Sequence, residues 1–102
     1  MDIQVLHIDD CPNWQEAGVL VTSALKALGR DDVEVSYQLI EDPDTANRTG
    51  FAGSPTIMVN GSDLFPSDGR TSDLACRIYF TPQGLAGLPT QAQIVESLAV
   101  SL

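Results

Sequence analysis

Apolar residues recur along the amino-terminal part of the chain with two different periods. Residues 3–8 form a short apolar run rich in β-branched side chains, which predicts a buried or half-buried strand. From residue 14 to residue 28 the apolar positions are separated by three or four residues, which predicts an amphipathic helix. Pro12 suits the first position of that helix and Gly29 suits its carboxyl-terminal stop. Cys11 is therefore expected where a strand gives way to a helix.

The rest of the chain alternates between strand and helix signals separated by turn residues. The predicted elements are a strand at residues 33–40, a short helix at 45–49, a strand at 55–59 ending at the turn Asn60-Gly61, a long loop at 62–75, a strand at 76–80, a turn region at 84–89 and a helix opened by a Thr90/Gln93 capping box. The order β-α-β-α-β-β-α predicts a single α/β domain, residues 1–102, with a mixed four-stranded central sheet. The first two strands are expected to be parallel through a right-handed crossover, and the last two antiparallel.

Composition and charge limit what such a domain can bind. Of the 102 residues, 43% are hydrophobic, which is ordinary for a globular protein. Fourteen acidic residues against five Lys and Arg give a net charge of −9, which disfavours nucleic acid and anionic membrane surfaces because both attract cations. No apolar run approaches the ~20 residues of a membrane span, and the amino end lacks the basic residues of a signal peptide. A cytoplasmic protein is therefore expected.

The two cysteines are too few for a disulfide-scaffolded secreted domain of this length, so their thiols are predicted to be reduced. At the start of a helix, free N–H groups and the helix dipole favour an anion, which makes Cys11 a candidate reactive thiolate. Asp9 and Asp10 oppose that effect, because neighbouring carboxylates disfavour a further negative charge. The residues leave open whether Cys11 is reactive or is a small buried hydrophobe, the usual fate of a free cysteine.

A second motif, residues 53–56 (Gly-Ser-Pro-Thr), places a proline at the start of the third predicted strand, where a cis peptide bond can form. Together with residues 11–14 (Cys-Pro-Asn-Trp), it resembles the motif pair of the thioredoxin-like family. The resemblance spans nearly the whole chain and implies a thioredoxin-like α/β fold in which the cis proline lies beside the sulfur of Cys11. The residues that it implies as substrate-positioning are Pro12, Trp14, Ser54, Pro55 and Thr56.

The chain departs from the thioredoxin-like pattern at Trp14. This residue stands where dithiol oxidoreductases have their second cysteine, so Cys11 has no neighbour with which to close a local disulfide. The segment 74–80 (Leu-Ala-Cys-Arg-Ile-Tyr-Phe) is similar to the strand that carries the second active-site cysteine of organomercurial (alkylmercury) lyases. That likeness implies that Cys11 and Cys76 are the catalytic residues of one shared site and can hold a soft metal ion between them. From the residues alone, Cys76 is equally an inward-facing strand residue.

The lyases also have a carboxylic acid three residues after the first cysteine, which protonates the carbon as its bond to mercury breaks. Trp14 occupies that position here, and Asp9 or Asp10 can replace the acid only if the loop turns one of them toward the sulfur. The loop at 62–75 is expected to act as a lid that brings Cys76 to the pocket. His7 lies within the first predicted strand and is expected to be a packing residue.

These features predict cysteine-based thiol redox chemistry or soft-metal binding, in which a Cys11 thiolate attacks and Cys76 resolves the product or co-ligates the metal. The expected partners are a small thiol, a disulfide, a soft-metal species or a protein thiol, with no cofactor, no nucleic acid and no membrane. The competing interpretation is a non-catalytic thioredoxin-like binding or scaffold domain, since a fold alone does not fix a function. The oligomeric state is left open.

Overall fold

The computed structural model describes residues 2–9, 11–30, 32–65 and 76–101. Within these residues, an α/β domain is built around a mixed four-stranded sheet with three helices. The elements are β1 (Ile3–His7), α1 (Trp14–Ala27), β2 (Val35–Leu39), α2 (Pro43–Thr49), β3 (Thr56–Val59), β4 (Ser62–Asp63), β5 (Tyr79–Thr81), β6 (Gly84–Ala86) and α3 (Gln91–Ser101). No helix among them has the length and apolar character needed to cross a membrane.

Strand β1 lies inside the sheet, whose strand order is β2-β1-β3-β4. It pairs in parallel with β2, from Ile3 opposite Val35 to His7 opposite Leu39. On its other side β1 runs antiparallel to β3, and β3 runs antiparallel to β4. The predicted α/β class, the mixed four-stranded sheet and the parallel pairing of the first two strands are thus confirmed.

Apolar side chains pack on both faces of the sheet, and the alternation along β1 determines which face each side chain joins. Ile3 points to a cluster formed with α1, α3 and β3, whose members include Val21, Ala24, Leu25, Ile57, Ile94 and Leu98. Leu6 points to the opposite face, in a cluster with Ile8, Cys11, Ile40, Ala46, Phe51 and Met58. Helices α1 and α3 therefore cover one face of the sheet, and α2 covers the other.

The fourth strand of the sheet is not the predicted one. The segment predicted as a loop at 62–75 begins with β4, which follows β3 through a two-residue turn. Asn60 (φ 52°) and Gly61 (φ 84°) both adopt positive φ, as the tightest hairpin turns require, so the chain doubles back at once. Ser62 and Asp63 carry no apolar pattern, so hydrophobic periodicity did not indicate a strand there. Residues 66–75, on which most of the predicted lid falls, lie outside the described residues.

The predicted strand at 76–80 does not join the central sheet. Its last two residues belong to β5, which pairs antiparallel with β6 in a separate hairpin. The second strand of this hairpin falls within the region predicted as a turn at 84–89. At the turn end of the hairpin, Thr81 lies opposite Gly84, and the Thr81 hydroxyl donates to the Gly84 carbonyl at 2.6 Å. Cys76 itself makes an isolated parallel bridge with Ser54.

The predicted capping residues agree with the structure at the start of α3 and at the end of α1, where Gly29 follows the C-cap residue Leu28 with a φ of 72°, but not at the start of α1. Thr90 and Gln93 form the predicted capping box, because each side chain accepts the other's backbone N–H, at 3.1 and 2.8 Å. Helix α1 begins at Trp14 rather than at Pro12, with Asn13 as its N-cap residue, and the Asn13 side chain makes no capping hydrogen bond. Cys11 consequently lies in the turn before the helix, three residues ahead of its first helical residue.

Candidate functional site

Cys11 and Cys76, 65 residues apart in the chain, are joined as a disulfide. Their Cα atoms are 5.9 Å apart, within the ~7 Å that an unstrained bridge allows. The sequence predicted reduced thiols, whereas the structure places the two sulfurs at disulfide distance. The two residues differ in exposure, since Cys11 is 0% exposed and Cys76 is exposed. Cys76 is therefore not part of a strand of the central sheet but an exposed residue that makes an isolated bridge ahead of β5.

The turn after β1 carries Cys11 into the α2 side of the core. Its backbone N–H donates to the carbonyl of Ile8 at 3.5 Å, which closes the turn. Its side chain belongs to the apolar cluster on that face of the sheet. The sulfur of Cys11 is thus covered by apolar side chains, and its disulfide to Cys76 links it to the protein surface.

The loop that precedes β3 touches both cysteine-bearing segments. The Ser54–Pro55 peptide bond is cis, in agreement with the sequence motif. The carbonyl oxygen of Ser54 lies 3.5 Å from the sulfur of Cys11 and accepts the backbone N–H of Arg77 at 2.8 Å. The Ser54 hydroxyl accepts the backbone N–H of Ile8 at 3.1 Å, which ties the loop to the end of β1. The loop therefore brings together four of the predicted site residues, Cys11, Ser54, Pro55 and Cys76.

The other predicted positioning residues have different surroundings. Thr56 is buried, and its hydroxyl donates to the carbonyl of Gly53 and accepts the backbone N–H of Ala52 at 3.1 Å. It therefore holds the cis-proline loop in shape from within. Pro12 is exposed in the turn between Cys11 and α1.

Gly53 allows the segment that carries Cys76 to approach this loop. Its φ of 108° lies in the left-handed region, which side chains disfavour. A Cβ at this position would lie 2.7 Å from the Cβ of Arg77 and 2.9 Å from its Cα. Both the backbone conformation and the contact with Arg77 therefore require glycine.

Gly53→Ala is expected to destabilise the protein by roughly 1–3 kcal/mol more than Gly84→Ala, because overlap with neighbouring backbone adds to the cost of positive φ. Gly84 is the matched control, since its φ is 115° and no atom lies within 4 Å of its would-be Cβ. Urea unfolding of the two variants and the wild type measures the difference. Equal losses in the two variants would mean that the Arg77 segment moves aside without cost.

Arg77 anchors the segment that carries Cys76. One guanidinium nitrogen donates to Asp63 of β4 at 2.8 Å, in an ion pair whose side chains are 7% and 14% exposed. Another donates to the carbonyl of Phe65. The guanidinium also lies 4.5 Å from the centre of the Tyr79 ring, in a cation–π contact. Sequence reasoning missed this network, because nothing in the spacing of Asp63 and Arg77 indicates that the two meet.

Tyr79 continues the network to the cis proline. Its hydroxyl donates to the carbonyl of Pro55, and its ring meets the edge of Phe65, with ring centres 5.7 Å apart. Burial raises the pKa of Tyr79, so the hydroxyl stays protonated and remains a donor. The side chains of Arg77 and Tyr79 together connect β4, the cis-proline loop and the segment of Cys76.

Trp14 packs in an aromatic group on the α1 side of the sheet. It stacks on His7 with ring centres 4.2 Å apart and planes 16° apart, and it meets Tyr37 edge to face at 5.4 Å. His7 is buried as predicted for a packing residue, and its Nδ1 atom has no hydrogen-bond partner among the described residues. Burial holds the pKa of His7 below its ordinary value, against the smaller opposing effects of the Ile8 backbone and of the Asp9 charge.

The NMR signal of His7 is expected to titrate below the ordinary histidine pKa of about 6.5. Because the unfolded chain takes up this proton more readily than the folded one, the contribution of His7 to stability is present above about pH 6.5 and is lost as the pH falls through the folded-state pKa. His7 is the chain's one histidine, so its imidazole C–H signals need no assignment. In His7→Phe, which preserves an aromatic stack, the stability should depend less on pH in this range. A pKa at or above that of a free histidine would contradict the expectation.

The exposed side chains that follow Cys76 are apolar. Burial alternates along residues 76–80, so Cys76, Ile78 and Phe80 are exposed with buried residues between them. Leu85 lies opposite Phe80 in the β5–β6 hairpin. The exposed fractions of Ile78, Phe80 and Leu85 are 61%, 80% and 64%. An apolar surface therefore runs from the exposed cysteine along this hairpin.

Among the described residues, no carboxylate is placed as a third metal ligand beside Cys11 and Cys76. The described part of the chain contains no cluster of three or more His, Cys, Asp or Glu residues able to hold a metal ion. Asp63 is paired with Arg77, Asp9 is exposed and Asp10 lies outside the described residues. A metal ion at this site would therefore have the two sulfurs as its protein ligands.

Comparison of the chain with protein-family models, with curated proteins and with solved structures found no match.

Proposed function

We propose that this protein is a thiol–disulfide exchange protein of the thioredoxin-like type, in which Cys11 and Cys76 alternate between a disulfide and two thiols. The observation that carries the proposal is the pairing of two cysteines 65 residues apart beside a cis proline. In the reducing compartment that the proposal assumes, disulfides are usually transient and catalytic or redox-sensing rather than structural. The pair uses both cysteines of the chain.

The order of elements supports the thioredoxin-like part of the proposal. The order β-α-β-α-β-β-α that the resemblance implies is obtained when β4, rather than the predicted strand at 76–80, is taken as the fourth strand and the β5–β6 hairpin as an insertion before α3. The parallel pair β1/β2 and the two helices on one face are compatible with the same architecture. The cis proline lies beside the sulfur, where the motif pair of the family would place it.

Cys76 supplies the second sulfur that the Cys-Pro-Asn-Trp motif lacks. In one direction, two substrate thiols are oxidised to one disulfide while the Cys11–Cys76 bond is reduced to two thiols; two electrons and two protons pass to the protein. In the other direction, the reduced protein passes them to a substrate disulfide. Because both sulfurs belong to one chain, the protein returns to its disulfide form without a second protein molecule.

The proposal is tested by mixing the fully reduced protein with a low-molecular-weight disulfide such as oxidised glutathione. Each wild-type molecule is expected to convert one disulfide into two small thiols and to lose two hydrogens in mass. Cys76→Ser is the control, since with one remaining thiol it can form a mixed disulfide but cannot complete the reaction. A wild type that forms no internal disulfide and releases no more thiol than Cys76→Ser would refute the proposal and favour a non-catalytic binding or scaffold domain.

The same pair supports a second candidate function, the capture of a soft metal ion by the reduced protein. Two thiolates are sufficient ligands for a linear two-coordinate ion. The Cα atoms of the two cysteines are 5.9 Å apart, so both sulfurs can bind the same ion. The proposal does not extend to cleavage of a carbon–metal bond, because Trp14 stands where the lyases have their acid and is packed against His7.

Metal capture is tested by adding one equivalent of mercuric ion to the reduced protein and then alkylating it. Shared binding is expected to protect both cysteines at that stoichiometry. In Cys11→Ser and Cys76→Ser, the ion should be held much more weakly and be removed by a competing monothiol. Protection of one cysteine only, with full alkylation of the other, would contradict a shared metal site.

A further inference from the structure

We infer that exchange with external thiols and disulfides takes place at Cys76. Cys11 reacts only within the protein: it leaves when the internal disulfide is opened and attacks Cys76 when that disulfide forms again. The inference rests on the proposed function and specifies which sulfur meets the substrate. It reverses the roles that the thioredoxin-like resemblance implies, in which the cysteine before the helix attacks.

The two sulfurs differ in their access to solvent. A thiolate attacks a disulfide along the axis of the S–S bond, from behind the sulfur that it will join, so the attacked sulfur must have open space on its far side. Cys11 is 0% exposed and is packed in the apolar cluster of the α2 face. Cys76 is exposed, and the residues that follow it alternate between solvent and interior. Of the two cysteines, Cys76 is therefore the one that an external thiolate can approach from solvent.

The two sulfurs also differ in how well their surroundings stabilise a negative charge. The sulfur of Cys11 lies among apolar side chains and 3.5 Å from the carbonyl oxygen of Ser54. Apolar surroundings disfavour an anion, and a carbonyl acceptor favours the protonated thiol, which can donate to it. At the surface, hydration stabilises a thiolate on Cys76. Of the two reduced cysteines, Cys76 is therefore the better nucleophile.

The steps balance as two successive exchanges. In the reduced protein, the Cys76 thiolate attacks a substrate disulfide R–S–S–R′, forms Cys76–S–S–R and releases R′S⁻. Cys11 then gives up its proton to solvent and attacks the Cys76 sulfur, which forms the internal disulfide and releases RS⁻. In the reverse direction, an external thiolate joins Cys76 and Cys11 leaves, and a second thiol then frees Cys76 as R–S–S–R forms.

The segment around Cys76 is held in position for the second step. The backbone N–H of Arg77 donates to Ser54, and its side chain is paired with Asp63. These contacts keep the mixed disulfide on Cys76 next to Cys11 after the first exchange. The attack of Cys11 on the mixed disulfide is then an intramolecular reaction between pre-positioned groups, and the effective concentration of the Cys11 thiol at Cys76 is high.

The test traps the first exchange in the oxidised wild-type protein. The protein is mixed with a limiting amount of cysteamine and quenched with acid while most of the internal disulfide is still intact. It is then alkylated and cleaved after Lys and Arg. Cys11 then lies in the peptide 1–26 and Cys76 in the peptide 71–77. The cysteamine adduct is expected on the peptide 71–77. An adduct mainly on the peptide 1–26 would overturn the inference while leaving the proposed function intact, and a disulfide that forms no adduct and is never reduced would overturn both.

Two single variants provide an independent rate measurement. In Cys11→Ser the remaining thiol is Cys76, and in Cys76→Ser it is Cys11. With an aromatic disulfide reagent, the thiol of Cys11→Ser is expected to react at least about tenfold faster than that of Cys76→Ser, because exchange rates follow access and thiolate content. Circular dichroism of both variants checks that each is folded. Equal rates, or a faster reaction in Cys76→Ser, would contradict the inference.

Discussion

Reduction of the Cys11–Cys76 disulfide is expected to lower the free energy of unfolding by about 4 kcal/mol, which is the chain-entropy value for a closed loop of this length. The two cysteines are 65 residues apart, so the bond closes a loop that contains α1, β2, α2, β3 and β4. When it is broken, the unfolded chain regains the freedom that the loop had removed, whereas the folded state changes less. Urea unfolding of the oxidised and reduced wild type measures the effect directly.

The control for this experiment is Cys76→Ser, which has no disulfide to lose. Its unfolding midpoint should be the same with and without reductant and should lie near that of the reduced wild type. A wild-type midpoint that does not respond to reductant would contradict the prediction. That result would mean either that the pair does not form in solution or that the unfolded chain remains compact without it.

Asp63→Asn is expected to lower the free energy of unfolding by about 3–5 kcal/mol, because it leaves the buried Arg77 guanidinium without its counter-charge. The pair is 2.8 Å apart and its two side chains are 7% and 14% exposed, so water can do little to compensate. Loss of the ion pair should also make the segment of Cys76 more mobile and slow the formation of the internal disulfide. Chemical unfolding and the rate of thiol loss after oxidant addition measure the two effects.

Asp32→Asn is the matched control for the loss of an ion pair. Asp32 pairs with Arg30 at 3.4 Å, but the side chains are 73% and 38% exposed. Surface pairs of this kind contribute about 0–1 kcal/mol, so the control should unfold almost like the wild type. A loss in Asp63→Asn no larger than in Asp32→Asn would show that Arg77 is not held by this ion pair.

Local features of the site could be predicted from short stretches of sequence. A proline at the start of a strand indicated that a cis bond can form at Pro55, and the sharp turn at Asn60-Gly61 follows from a dipeptide that tolerates positive φ. The Thr90/Gln93 capping box is likewise a matter of spacing within one turn. Each of these depends on residues close together in the chain, so the sequence contains the whole cause.

Features that depend on distant residues were missed or misplaced. Strand β4 is two polar residues long, and it is a strand because the preceding turn brings it back against β3 rather than because of its own pattern. The ion pair of Asp63 with Arg77 joins β4 to the segment of Cys76, and no repeating pattern in the sequence indicates that these two residues meet. The burial of Cys11 depends on which face of the sheet the turn after β1 enters, and a position at the start of a helix does not indicate that face.

The measurement that tests the central claim most directly is a redox titration of the wild-type protein in buffers of varied glutathione ratio, read by peptide mapping after acid quench and alkylation. The account predicts one linked species, the peptide 1–26 joined to the peptide 71–77, whose fraction falls smoothly as the buffer becomes more reducing. Two freely alkylated cysteines at every ratio, or a linkage that persists in excess dithiothreitol under native conditions, would contradict it.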